Sequence, residues 1–271
     1  MTAPSPVHVD VLPAQEAEAA AALAQAEGLI SVEASWLEAH CRASPDLCLA
    51  AWREQRLVGI SVASDFGAYA FLGPLAVAAD EQGRGIGGLL LGRTLESLPE
   101  TSTHALEATD AGRLLYERRG FVGEWTTVRL RAEDPTPGAA ERPVSVGDFD
   151  ALLRIDREHI GGDRELALRM AASLYGLEPL TYGDAAALAG PGRIGPLVAG
   201  SSENAEAVLD AACRRGGPLA CWTREAPEVI SMLERRGFER VEAAPRLLRM
   251  GLGPQPGHGA ALYLLLSLQA G

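Results

Sequence analysis

Gly73-Pro74-Leu75-Ala76-Val77-Ala78-Ala79-Asp80-Glu81-Gln82-Gly83-Arg84-Gly85-Ile86-Gly87-Gly88-Leu89-Leu90-Leu91 is the stretch around which the rest of the chain can be arranged. It reads as a strand, a glycine-rich turn and a helix. Gly83, Gly85, Gly87 and Gly88 leave backbone amides uncovered by side chains, and the helix that follows directs its positive dipole end into the turn. Arg84 adds a mobile positive charge, so the turn predicts an anion cradle with a diphosphate as its natural guest. Four glycines within six positions carry a backbone-entropy cost that a plain connection would avoid.

Two kinds of nucleotide site share this physics. As Gly83-x-Gly85-x-x-Gly88 the turn fits a dinucleotide-binding fingerprint, and Glu107 lies near the distance of a ribose-binding acid. As Gln82-Gly83-Arg84-Gly85-Ile86-Gly87 behind Leu75-Ala76-Val77, it resembles the pyrophosphate loop of the GNAT superfamily of acyl-CoA-dependent N-acetyltransferases. The second match is longer and more specific.

The chain has 271 residues, 47% hydrophobic and 22% charged, as expected of one or two globular domains. A formal net charge of −12 argues against generic nucleic-acid binding and favours a cationic or neutral acceptor. Cys41, Cys48, Cys213 and Cys221 show no metal-ligand spacing with histidines and read as small buried residues, so no metal is expected. Neither a signal peptide nor an apolar run long enough to span a bilayer is visible, so the expected location is cytoplasmic, with no membrane partner.

In chain order, a strand at Val7 to Leu12 precedes helices at Pro13 to Glu27 and at Val32 to Arg42, the latter with Ser31 as N-cap. An antiparallel meander follows over Leu47 to Arg53, Arg56 to Ser64 and Tyr69 to Val77. The helix after the cradle, a strand at Thr103 to Thr109, a helix at Ala111 to Arg119 and a closing strand at Val122 to Leu130 complete the order of the GNAT fold. Pro135-Thr136-Pro137-Gly138 marks a linker. Beyond it, Gly195-Pro196-Leu197-Val198-Ala199 echoes Gly73 to Val77, and Leu233 to Phe238 echoes Tyr116 to Phe121, which predicts a duplicated unit. The expected fold is therefore α/β (α+β): two tandem GNAT-like domains over residues 1–132 and 142–271, each a mixed, mostly antiparallel sheet flanked by helices. In the second copy Ala199 to Ala205 replaces the cradle with a carboxylate-bearing, capped helix start, so it reads as a degenerate domain without a CoA site. Gly251 to Gly259 reads as a connector, and Ala260 to Leu268 as a last strand that could join either sheet.

The resemblance implies acetyl-CoA as cosubstrate and a small-molecule or peptide amine as acceptor, with oligomeric state open. It implies that Leu75, Ala76 and Val77 face the pantetheine arm and that Gln82, Gly83, Arg84, Gly85, Ile86, Gly87 and Gly88 surround the pyrophosphate. Val77 would offer the backbone amide that polarises the carbonyl. Tyr116 stands where many relatives keep a general acid beside the sulfur, while Thr109 replaces an asparagine usual in the family and Arg113 could reach the phosphates. No carboxylate lies on the strand leading into the cradle; Asp65, Glu107 and Glu124 are candidates for a general base, none preferred. The reading is an N-acyltransferase working by direct attack. A non-catalytic acyl-CoA-binding module and a nicotinamide-dependent oxidoreductase stay open.

Overall fold

The computed structural model describes residues 5–29, 31–99, 103–250 and 262–265, the side chains of 242–250 and 263 excepted. Its first half runs β1 (Val7–Val11), α1 (Ala17–Ala26), α2 (Ala34–Ala43), β2 (Cys48–Arg53), β3 (Arg56–Asp65), β4 (Tyr69–Val77), α3 (Ile86–Glu96), β5 (Thr103–Ala108), α4 (Asp110–Glu117) and β6 (Val122–Ala132). The small side chains of Ala20, Ala21 and Ala24 let α1 bury one face closely against the sheet, and Gly28 at φ 88° follows its end. The second helix starts later than the sequence suggests: Glu33, not Ser31, is the N-cap of α2. Trp36, Leu37 and His40 are buried on one side of it, and His40 Nε2 lies 2.9 Å from the carbonyl of Ala63.

The second half repeats the order with β7 (Ser145–Val146), α5 (Phe149–Ile160), α6 (Glu165–Tyr175), β8 (Glu178–Tyr182), β9 (Ala185–Gly190), β10 (Gly192–Val198), α7 (Ser202–Cys213), β11 (Leu219–Arg224), α8 (Pro227–Glu234) and β12 (Glu239–Met250). A short β13 (Leu262–Leu264) follows. The connector read at Gly251 to Gly259, and the parts of the last strand at Ala260, Ala261 and Leu266 to Leu268, lie outside the described residues.

The strands pair in the order β1-β2-β3-β4-β5-β12-β6-β11-β10-β9-β8-β7, with β13 on β10. Matching β1 to β6 with β7 to β12 makes the order the same from either edge. Its centre is an exchange. β12, from the second half, stands between β5 and β6, pairing antiparallel with both; β6 in turn stands between β12 and β11. Chain order alone suggests that Val122 to Leu130 closes the first unit from within. Instead each half receives from the other the strand that stands next to its own fifth: β12 beside β5, and β6 beside β11. Pairings between distant segments leave no mark on local periodicity, because no short turn connects them.

The halves are also clamped away from the sheet. Asp163 N donates to Phe66 O at 2.9 Å, and a side chain at Gly162 would meet the Tyr69 ring at 2.8 Å, so the α5–α6 connection lies directly on the β3–β4 turn. Beside it Arg164 and Asp156 form an ion pair at 2.5 Å with both side chains at least 97% buried. The apolar cluster here joins Phe66, Tyr69, Phe71 and Ala105 to Leu152, Ile155 and Leu168, so one core spans both sequences. Residues after Ala132 are tied to the second half by Thr136 N donating to Arg236 O and Gly138 N donating to Asp210 Oδ1.

Candidate functional site

β4 and β5 run side by side in parallel only from Tyr69↔Thr103 to Leu72↔Leu106. At Gly73, whose φ of 147° suits a residue without a Cβ, β4 turns away; from there to Val77 it pairs only with β3, while β5 continues against β12. A wedge opens between the two strands. Because Ala78 N donates to Val58 O, the alternation of an antiparallel ladder turns the N–H and C=O of Leu75 and Val77 away from β3 and into that wedge. Ala76 points the other way and is buried against α1 and α2. Gln82 Nε2 donates to Val77 O at 2.9 Å and to Glu27 Oε2 at 2.7 Å, tying the turn to the end of β4 and to α1.

At the foot of the wedge begins α3. Gly83 and Gly85 have φ of 73° and 83°, and Gly85 is an N-cap without a side-chain bond. Leu89 N is the first to find an intrahelical partner, at Gly85 O, which leaves the N–H groups of Ile86, Gly87 and Gly88 pointing out of the helix end. A Cβ on Gly87 would meet Leu115 at 3.4 Å and Val77 at 3.7 Å, so its absence lets α3 sit close to the wedge. Charge is arranged around this end. Arg53 holds Glu81 in two bonds of 2.8 Å, Arg56 holds Asp80 at 2.6 and 2.7 Å, and the half-exposed Arg84 is 3.5 Å from Glu81. The Arg53 guanidinium keeps the Glu81 carboxyl below the usual carboxylate range. A cleft of 390 Å³ lined by Arg53, Arg84, Gly85 and Leu89 lies on one side, and one of 550 Å³ lined by Gly88, Gly92, Arg93 and Arg119 on the other. Arg119 Nη2 donates to Gly88 O at 2.9 Å. These groups fit a diphosphate: three free amides, a helix dipole and two arginines within a concave surface.

α4 borders the wedge from the α3 side. Thr109 is its N-cap, accepting from Gly112 N at 3.2 Å, and Arg113 lies 3.7 Å from Glu117. Tyr116 is buried against Leu106, Ala108 and Leu91, with its ring edge-on to Phe121 at 5.9 Å. Burial pushes its hydroxyl up to about 12, so it stays protonated at neutral pH.

The three carboxylates considered from sequence separate clearly. Asp65 is exposed and accepts from Gly67 N in the β3–β4 turn. Glu124 lies at the start of β6. Glu107 differs: it sits at the wedge end of β5, on the face opposite Leu106, Ala108 and Tyr116. Its Oε1 accepts from the Thr127 hydroxyl at 2.6 Å across β12, whose register slips between Ala243 and Arg246. Oε2 is buried without a partner. Burial, opposed only by the Thr127 bond, pushes the carboxyl up to about 8. Sequence spacing cannot single out Glu107, because the partner that orients it comes from a distant strand.

In the second half the same construction is closed. Gly195 has φ 142°, and β10 pairs with β11 only at Gly192↔Leu219 and Arg193↔Ala220 before the strands part. Into that wedge comes β13, with Leu197↔Leu264 and Val198↔Leu262 paired and Leu265 N donating to Trp222 O at 2.8 Å. Ser201 caps α7 by accepting from Asn204 N at 3.3 Å, and Glu203 stands in the first turn. Aligning the two registers puts Trp222 where the first half has Glu107, and Leu233 where it has Tyr116.

Among the described residues no group of three His, Cys, Asp or Glu side chains could hold a metal ion, and no helix is long and apolar enough to cross a membrane. Residues 17–121 match the profile of the Acetyltransferase (GNAT) family. No curated protein matches the sequence. Among solved structures, a candidate acetyltransferase from Pyrococcus horikoshii superposes with a TM-score of 0.83 at 23% identity, over 98% of this chain and 96% of its own. A GCN5-related N-acetyltransferase from Sphaerobacter thermophilus gives 0.61 at 18% identity over 94% and 98%, and one from Kribbella flavida 0.59 at 17% over 90% and 70%. The wedge, the uncapped helix start and these likenesses agree: residues 17–121 match the GNAT acetyltransferase profile, and over nearly its whole length the chain has the fold of those acetyltransferase structures.

Proposed function

We propose that the protein is an acyl-CoA-dependent N-acyltransferase that moves acetyl from acetyl-CoA to an amine, with one active site, in the first half. The observation that carries this is the wedge between β4 and β5, which ends on three free amides at the start of α3. Residues 1–132 supply that site, and residues 142–271 form a GNAT-like partner without a CoA site, because β13 fills its wedge and Glu203 repels anions from α7.

The amides of Ile86, Gly87 and Gly88, with Arg84 and the turn from Gln82 to Gly85, would hold the pyrophosphate; Leu75 and Val77 would pair with the pantetheine arm as an added strand would. Thr109 and Arg113 border the α4 side, where Thr109 is engaged in capping. Acetyl-CoA supplies an activated acyl carbon. The remaining work belongs to the chain. Val77 N–H polarises the carbonyl, the amine nitrogen forms the new C–N bond as the C–S bond breaks, Glu107 accepts the amine proton, and Tyr116 gives a proton to the leaving sulfur. Glu107 and Tyr116 suit these roles because they lie on opposite faces of β5, so base and acid approach the wedge from opposite sides.

The test is calorimetric titration with CoA of the unaltered protein and of Gly85→Asp, with Gly85→Asn as control. Both substitutions must adopt a left-handed backbone, which Asn and Asp tolerate, but only Asp brings a charge. About hundredfold weaker binding in Gly85→Asp, with a clearly smaller loss in Gly85→Asn, is expected. Equal affinity of a folded Gly85→Asp protein would remove the site. Binding of NADPH in place of CoA would favour the oxidoreductase reading, and CoA binding without acyl transfer to any amine the non-catalytic one.

A further inference from the structure

The face of the sheet that carries Glu107 holds further buried polar atoms without a hydrogen-bond partner, Trp125 Nε1 and Arg224 Nε. Register brings all of them together. Glu107 and Trp125 are both aligned with Leu247 of the intervening β12, and Arg224 is the pairing partner of Thr127, whose hydroxyl bonds Glu107. Glu107, Thr127 and Arg224 therefore form a row on one face across the centre of the molecule. One step further along the strands, the Arg129 guanidinium lies 5.7 Å from the Trp222 ring centroid, and this pair shares the face with Thr127 and Arg224. Both tryptophans border the apolar cluster that spans the two halves.

The charges here are unlike those elsewhere. Arg53 and Arg56 are matched to Glu81 and Asp80, and Arg236 to Asp210 and Glu206. Arg224 and Arg129 are half-buried yet, among the described residues, neither has a carboxylate within ion-pair distance. In a chain with twelve more acidic than basic residues, counter-ions are not scarce. A half-buried guanidinium kept without one, in the same row as the proposed proton acceptor, is suited to receive an anion that comes from outside.

Resting on the acyltransfer reading, we propose that the acceptor is an α-amino acid with an apolar or aromatic side chain: its amine meets Glu107, its carboxylate meets Arg224, and its side chain packs between Trp125 and Trp222. Amine and carboxylate are separated by a single carbon in such a molecule, and Glu107 and Arg224 flank the same threonine. Such an amino acid is zwitterionic and carries no net charge, in keeping with the neutral acceptor that the acidic surface suggested. The second half thus contributes Arg224 and Trp222 to a site whose chemistry belongs to the first.

Calorimetric titration of L-phenylalanine and L-leucine, each against its carboxamide, into CoA-saturated protein tests the assignment. The acids are expected to bind at least tenfold more tightly than the amides. Arg224→Gln should erase that ratio while CoA affinity and thermal unfolding stay as they were, and Arg224→Lys should keep part of it. Amides that bind as tightly as the acids, a ratio that survives Arg224→Gln, or binding of neither would overturn the proposal. Titrating CoA alone, and the amino acids again without CoA, separates the outcomes: loss of the CoA signal speaks against the acyltransfer reading, and loss of the amino-acid signal alone against the acceptor.

Discussion

The wedge between β4 and β5 and the wedge between β10 and β11 are built by the same rule and reach opposite ends. Each opens at a Gly-Pro step whose glycine has φ near +145°, at 147° and 142°, and each is bordered by a helix that follows its first strand. The first is left open, with backbone groups facing it and an uncapped glycine at the foot. The second is occupied by Leu262 to Leu264 and footed by a serine-capped, acidic helix start. Unpaired strand edges inside a fold are costly, because each N–H and C=O loses water without gaining a partner. In the second half the chain completes the ladder itself; in the first the groups stay free, as the proposed ligand site requires. Glu107 and Trp222 carry the same lesson at side-chain level: equivalent positions, one a carboxyl that burial keeps protonated to about pH 8, the other a partly buried indole bordering the apolar cluster.

This contrast can be broken at several points. Replacing Glu107 by Gln should have the largest effect, lowering turnover by about 10²–10⁴-fold with little change in CoA affinity, as measured by thiol release. The base works only when ionised, so kcat/KM of the unaltered protein should rise with pH through about 8 and level off above it. The sign for stability is opposite. A carboxyl that holds its proton in the folded state to about 8 but loses it far lower when unfolded stabilises the fold fully at low pH, and that contribution is lost as pH rises through about 8. Glu107→Gln should therefore flatten the pH dependence of Tm above pH 5, and an unchanged profile would deny the burial of this carboxyl.

Leu264, fully buried in β13, gives the next largest effect: Leu264→Ala should cost about 2–5 kcal/mol of stability, read by chemical denaturation, while CoA affinity of the folded protein stays within twofold. Equal loss of CoA binding would mean that the two wedges are not independent. Tyr116→Phe should lower turnover by about tenfold without altering CoA affinity, since it removes one proton donor from an otherwise unchanged packing site. Smallest of all, Glu203→Gln should leave the CoA stoichiometry at one per chain; a second bound CoA would show that a single charge, not the filled wedge, closes the second half.

The elements of both halves could be read from local signals: Gly28, Gly120 and Gly237 as helix ends, the alternation of β2 to β4, the glycines before α3, and the repeated Gly-Pro-Leu and Glu-Arg-Arg-Gly-Phe segments. The turn residues of the candidate site are equally legible, because a helix start without a capping side chain is a property of a few consecutive residues. Ser31 misled, since Glu33 holds the N-cap in its place. Glu107 was visible as a carboxylate but not as a special one. What sets it apart is Thr127, twenty residues away and two strands over, across β12.

By itself the sequence determined the class of fold, its repeated order of elements, and the uncapped glycine turn present in one copy only, all of which rest on periodicity, turn chemistry and spacing within short windows. Only the tertiary structure decided that β6 and β12 are exchanged at the centre of the sheet, that β13 fills the second wedge, and that Thr127 stands between Glu107 and Arg224 in one row. Strand neighbours far apart in sequence are selected by the burial and hydrogen bonding of the whole sheet, and those energies exist only once the halves have come together.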